Sequence, residues 1–254
     1  MQKPRVKTSD IALKILHKIA FSDEPLSQSE IAETAGIVKS AAHKHLFTLE
    51  ETGWISRDHL TGRYRLGPQA WLVGQRATQI GDLALSADSF MRTTRQETGL
   101  AVVLSSVNGR SLNVIAALNG THAIEIGVRQ GSQLPLHSSA QGQILLAFGD
   151  PKLVDEVCSE ELPALTPKTL TNPEKLRCRV EEARQSGYVW APEETLLGVN
   201  VVAAPVFNNH KQIIATVALV ASIQHLTDPP SEEHVRAIRT LAGDISQTRG
   251  YEFG

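Results

Sequence analysis

Two cysteines among 254 residues, Cys158 and Cys178, are too few for a disulfide framework or a four-thiolate zinc site. Long apolar runs are missing as well. A stretch such as VVAAPVF, residues 201–207, falls far short of the roughly 20 residues that a membrane-crossing helix needs. The basic opening MQKPRVKTSD leads into no apolar segment of the kind that marks a secretion signal. The glycine-rich dinucleotide and phosphate-loop patterns, the HExxH zinc pattern and the GxSxG hydrolase elbow are all absent. Cys158 stands in the acidic run VDEVC, which raises a thiol pKa rather than activating it. His122 and His137 are isolated. Glu193 and Glu194 are adjacent, so on an extended strand they face opposite sides and form no acid–base dyad. These absences predict a soluble, cytoplasmic protein with no catalytic residue, metal or cofactor.

What is present is an ordinary globular composition, 41% hydrophobic and 20% charged. The net charge of −2 divides unevenly. Residues 1–76 carry eleven basic against eight acidic side chains, a net +3, which leaves −5 for the rest. A basic head on an acidic body suggests that only the head meets a polyanion.

Within the head, Ile11, Ile15, Leu16 and Ile19 recur at helical spacing over 10–20 until Asp23-Glu24-Pro25 breaks the pattern. Ser27 and Glu30 have the form of a reciprocal cap, in which each side chain serves the other's free N–H. The short helix they open is expected to end at Gly36. A third helix is predicted from 39 to 51. At 100° per residue, Ala42, Leu46 and Leu49 share its inner face, while Ser40, His43, Lys44 and Phe47 point outward. Lys39 begins that helix, and a short polar-basic face near a helix N-terminus suits a major groove. Residues 54–57 and 63–66 alternate in polarity around a turn with Gly62, a hairpin whose Arg57, Arg63 and Arg65 would lie along the DNA backbone or the minor groove. Helix, glycine turn, helix and hairpin form a winged helix-turn-helix in double-stranded DNA readers. A three-helix interaction module with solvated basic residues is the alternative.

Gly67-Pro68 closes the head, and residues 69–98 read as a long linker helix with a kink at Gly74 or Gly81. Its apolar positions suit a partner helix from a second subunit. Beyond it, strands are expected at 101–107, 111–118, 123–128, 188–191, 200–207 and 213–221. Helices are expected at 138–147, 152–158, 172–186 and 231–248. The body is thus an α+β sheet domain with helices on its faces. The extended segment 134–137 leads through Ser138-Ser139 into a helix whose first N–H groups can hold a carboxylate without a basic side chain, unless a serine merely caps it. The expected domains are residues 1–70, a linker over 71–84, and a body over 85–254.

Nearly the whole chain resembles the IclR family of bacterial transcriptional regulators. The resemblance rests on residues 36–49 with Gly53, on Tyr64-Arg65-Leu66-Gly67, on residues 134–147, and on Thr169, Thr171, Gly187-Tyr188, Glu193-Glu194, Gly198 and residues 202–207. It implies a homodimer or homotetramer that binds a palindromic operator and a GAF-like body that binds a small organic effector, often an acid. The effector carboxylate would lie on the N–H groups of Ala140 and Gln141. Members that bind small polar acids carry an Asp, a Cys and two Ser on the opposite wall, where this chain has Ala191 (or Pro192), Val201, Ala218 and Val220. Burying an unpaired polar group costs about 1–3 kcal/mol, so an aromatic or otherwise apolar-tailed acid is expected. Lys44 replaces the usual Arg and Phe47 a common basic residue, which lowers the expected operator affinity, and Gln143 replaces a Lys. Two other functions are an interaction or sensory module whose winged head docks on a protein, and an enzyme acting on a small acid.

Overall fold

The computed structural model describes residues 6–123 and 126–251 and divides into two compact units, residues 1–79 and 80–254. The first unit begins with three helices, α1 (Lys7–Ala20), α2 (Gln28–Ala35) and α3 (Lys39–Glu51), followed by a two-stranded hairpin, β1 (Ile55–Arg57) and β2 (Tyr64–Leu66). The reciprocal cap forms at the start of α2: the Ser27 N–H donates to Glu30 Oε2 at 2.7 Å, and the Glu30 N–H donates to Ser27 Oγ at 3.3 Å. Gly36 ends that helix at φ 65°, a left-handed conformation that costs glycine little. Ile15, Ile19, Ile31, Leu46, Leu49, Ile55 and Tyr64 then close one small core.

The long linker helix is not continuous. Residues 68–98 form α4 (Pro68–Gly74) and α5 (Thr78–Thr98), with a break that follows Gly74. Arg76 and Ala77 turn their N–H groups to carbonyls three residues back, Val73 and Gly74, which tightens the chain out of α-helical register. Gly74, a poor helix former, closes α4, whereas Gly81 stays helical within α5.

The second unit is built on one antiparallel sheet with strand order β4-β3-β7-β6-β5. Its strands are β3 (Ala101–Asn108), β4 (Ser111–Leu118), β5 (Val189–Pro192), β6 (Val199–Phe207) and β7 (Ile213–Ser222). Helices α6 (Ala140–Phe148), α7 (Pro151–Cys158) and α8 (Pro173–Ser186) pack on one face, with Ile144, Leu145, Leu176 and Val180 in its core. Helices α5 and α9 (Glu232–Thr248) cover the other, where Met91, Ile238, Leu241 and Ile245 meet Val102, Val202 and Val217.

A strand over 123–128 does not form among the described residues; Ile124 and Glu125 lie outside them. The edge of β4 that it would have joined is taken by a later segment. The N–H groups of Val114 and Leu134 donate to Ser132 O and Leu112 O at 2.9 Å, and Gly131 N–H donates to Val114 O at 2.8 Å. Ile126 and Val128 instead pack against the α6-side core. The opposite edge, β5, is four residues long and ends in Pro192.

Candidate DNA interface and effector site

On α3 the buried face is Ala42, Leu46 and Leu49, and Lys39, Ser40, His43 and Lys44 are all exposed on the other side. Phe47 shares that outer face and is 59% exposed. Val38 precedes the helix and supplies no side-chain cap, so its first turn is open to solvent.

The hairpin distributes its arginines unequally. Arg63 turns back onto the helices, donating through Nη1 to Pro25 O at 2.6 Å and to Glu30 Oε2 at 3.2 Å. Arg57 donates through Nε to Gly62 O at 3.3 Å and lies over the Tyr64 ring, 5.5 Å from its centroid. Arg65 is exposed. Asp58 ties the turn: its Oδ1 accepts from Leu60 N–H, Thr61 N–H and Thr61 Oγ1 at 2.8–3.1 Å. The Thr61 amide and hydroxyl, with the Leu60 amide, hold the Asp58 carboxyl below its usual pKa. Leu60 stands at the tip, 97% exposed. Two of the three arginines therefore hold the hairpin in shape, through partners 33 and 38 residues away in the case of Arg63.

In the second unit α6 is buried along nearly its whole length. Ser139 caps it, accepting from Gly142 N–H at 3.0 Å and donating to Pro135 O at 2.6 Å. Gly142 permits this approach, because a Cβ there would come within 2.4 Å of Pro135 O and 2.6 Å of Leu136 Cα. The cap serves the third N–H of the helix. Those of Ala140 and Gln141 find no acceptor among the described residues.

On the sheet, Ala191, Val201 and Val220 lie in register across β5, β6 and β7, with Ala218 two residues along β7 from Val220. All four belong to the α6 side of the sheet, with Val201 only partly buried. The same face carries a polar group that composition alone conceals. Ser105 and Thr216 are fully buried register partners on β3 and β7. Gln141 Nε2 donates to Ser105 Oγ, Thr216 O and Thr216 Oγ1 at 3.0–3.1 Å. Ser138 Oγ is fully buried and has no partner among the described residues.

A strap after β5 is fastened to the start of α6. Thr195 Oγ1 donates to Ser138 O at 2.8 Å, and Gln143 Nε2 donates to both His137 O and Glu194 Oε2, at 2.9 and 2.8 Å. Glu194 is buried and also accepts from Arg179 Nη1 at 3.1 Å. Burial raises its pKa above the usual carboxylate range, with Arg179 and Gln143 working against the shift. Glu193 goes the other way, to Lys168 and the Gly198 N–H. The two carboxylates are therefore separate structural groups.

The other chemistry-bearing residues are equally quiet. Burial, the largest cause, pushes the Cys158 thiol up; Asp155 and Glu174 add to it and Arg177 opposes it. His122 stacks on His225 with ring centroids 3.6 Å apart, and His137 Nε2 lies 2.9 Å from Pro163 O. Among the described residues no group of three or more His, Cys, Asp or Glu is placed to hold a metal, and no helix is long and apolar enough to cross a membrane.

Residues 8–59 match the model of the IclR helix-turn-helix domain, and residues 75–247 match that of the bacterial transcriptional regulator IclR C-terminal domain. The chain belongs to the IclR family. It is 26% identical over 250 residues to the transcriptional repressor IclR of Escherichia coli, covering 97% of this chain and 91% of that one. An IclR homologue from Microbacterium hydrocarbonoxydans, solved in complex with 4-hydroxybenzoate, superposes with a TM-score of 0.80 at 25% identity, covering 95% and 98% of the two chains. The Thermotoga maritima IclR structure gives 0.72 at 29% identity, covering 97% and 100%. Family membership makes the first unit a DNA-binding helix-turn-helix domain of a transcriptional regulator.

Proposed function

We propose that this IclR-family chain is a one-component, ligand-responsive regulator that acts in the cytoplasm and needs no cofactor. Residues 1–70 bind a palindromic operator, 71–84 connect, and 85–254 hold the effector and join copies into a homodimer or homotetramer. Lys39, Ser40, His43 and Lys44 enter the major groove. Arg65 takes phosphate from the wing, whose shape Arg57 and Arg63 maintain. The effector is a small organic acid with an aromatic or otherwise apolar tail. Its carboxylate lies on the N–H groups of Ala140 and Gln141, and its tail against Ala191, Val201, Ala218 and Val220.

The observations that support the ligand class are two open backbone donors at the start of α6 and a row of alanine and valine on the sheet face that α6 covers. Such a site satisfies one anionic end of a ligand and offers hydrocarbon to the rest. The 4-hydroxybenzoate held by the Microbacterium homologue agrees with an aromatic acid. Calorimetric titration tests it: benzoate-like acids should bind more tightly than glyoxylate or pyruvate. Replacing Ala218 and Val220 together by serine should shift that preference about tenfold toward the small polar acids, the worth of one recovered buried hydrogen bond. Tighter binding of glyoxylate by the natural chain would sink the assignment. Selection of genomic fragments at two salt concentrations tests the head. A recovered palindrome supports operator binding, whereas bulk DNA lost at higher salt favours the interaction module.

A further inference from the structure

We propose that Phe47 reads the 5-methyl group of a thymine in each operator half-site; this rests on the DNA-binding reading of α3 given above. In a bacterial DNA reader whose recognition helix is otherwise polar outside, a 59% exposed phenylalanine is out of place as packing. At 100° per residue Phe47 lies about 20° from Ser40 around the axis, between His43 and Lys44, so it sits at the middle of the exposed stripe rather than on its margin. It is seven residues beyond Ser40, about 10 Å along the helix, or about three base pairs along a duplex.

The side chain has no donor or acceptor, so it cannot serve a phosphate oxygen or a base edge by hydrogen bonding. The thymine methyl is the apolar feature that the major groove displays, and it distinguishes thymine from the other three bases. A ring in that place turns the missing cation of the helix's third turn into a source of sequence preference. Affinity from charge is exchanged for discrimination.

The experiment uses the full chain and an operator recovered by selection. Each thymine of one half-site, then of both, is replaced by deoxyuridine, which removes the methyl and leaves every hydrogen-bonding atom in place. At one position, about three base pairs from that read by the first turn of α3, the natural chain should lose about fourfold for each methyl removed, the equivalent of one buried methyl-sized group. Phe47→Ala should bind thymine and uracil operators equally, and Phe47→Leu should keep part of the preference. Helical circular dichroism and the melting temperature should be unchanged in both. Selective operator binding that is indifferent to every thymine-to-uracil change overturns the proposal, as does an undiminished methyl preference in Phe47→Ala. Failure to recover any operator overturns the DNA-binding reading itself.

Discussion

In the function proposed above, helices α3 and α6 both present an N-terminus to an anion, yet they are built in opposite ways. Helix α3 has no side-chain cap and an outer face of lysine, serine and histidine in full contact with water. Helix α6 is capped by Ser139, buried along nearly its whole length, and has no basic residue in its sequence. Charge on α3 is cheap to maintain and easily screened by salt. On α6 a cation would be costly to bury, so backbone N–H groups provide the positive end. Exposure decides which kind of donor a helix end can use: ionic side chains for a polymer outside, fixed dipoles for a small ligand inside.

The same contrast governs ionisation, and the largest expected effect follows from it. Arg179→Met leaves Glu194 buried without its cation, which should cost about 3 kcal/mol of the second unit's stability at neutral pH. Glu194 already has a raised pKa in the folded state. Its stabilising contribution is therefore complete below the usual carboxylate range and is lost as pH rises through the raised value. The variant's deficit should shrink on acidification, down to a residue left by the lost bond to Trp190 O. Denaturant unfolding at a series of pH values measures this, and a deficit independent of pH would contradict it. Glu30 and Asp58 in the head run the other way. Hydrogen bonds from Ser27 and the nearby Arg63 lower the one, and the Thr61 and Leu60 donors lower the other. Their contributions are present above the ordinary carboxylate values and fade as pH falls through the lowered ones.

Lys44→Ala, an intermediate effect, should weaken binding to all sequences and flatten the dependence of log K on log salt by about one unit. An unchanged slope would remove Lys44 from the phosphate contacts. Arg63→Ala is the smallest. Its guanidinium is about two-fifths exposed and bound to Pro25 O and Glu30, so the head should lose at most about 1 kcal/mol, seen as a small drop in melting temperature. The salt slope should stay as it was. A slope change as large as that of Lys44→Ala would show that Arg63 leaves its intramolecular partners for DNA.

Local chemistry was readable from sequence. The Ser27–Glu30 cap, Gly36, the two faces of α3 and the Ser139 entry into α6 all depend on residues within a turn or two of one another. What escaped depends on distance along the chain. The alternation over 123–128 looks like a strand, but pairing with β4 belongs to 131–134, and periodicity cannot say which segment takes an edge. The grouping of Gln141 with Ser105 and Thr216 joins positions 36 and 75 residues apart, and Arg63 finds its carbonyl 38 residues away. Each is a single serine, threonine or arginine in its own neighbourhood, with nothing local to mark it. The kink at Gly74 is one of two places the sequence offers, and apolar spacing, which continues across Gly74 and Gly81 alike, does not choose between them.

The two margins of the five-stranded sheet have a further consequence. One is occupied along Leu112–Val114 by residues 131–134 of its own chain, and the other is a four-residue strand that ends in a proline with no amide hydrogen. Among the described residues a neighbouring molecule therefore finds only short open stretches of ladder on which to lay a strand. Copies of this chain should meet through helices and side chains, in assemblies of fixed size, and should resist growing into fibres when they crowd together.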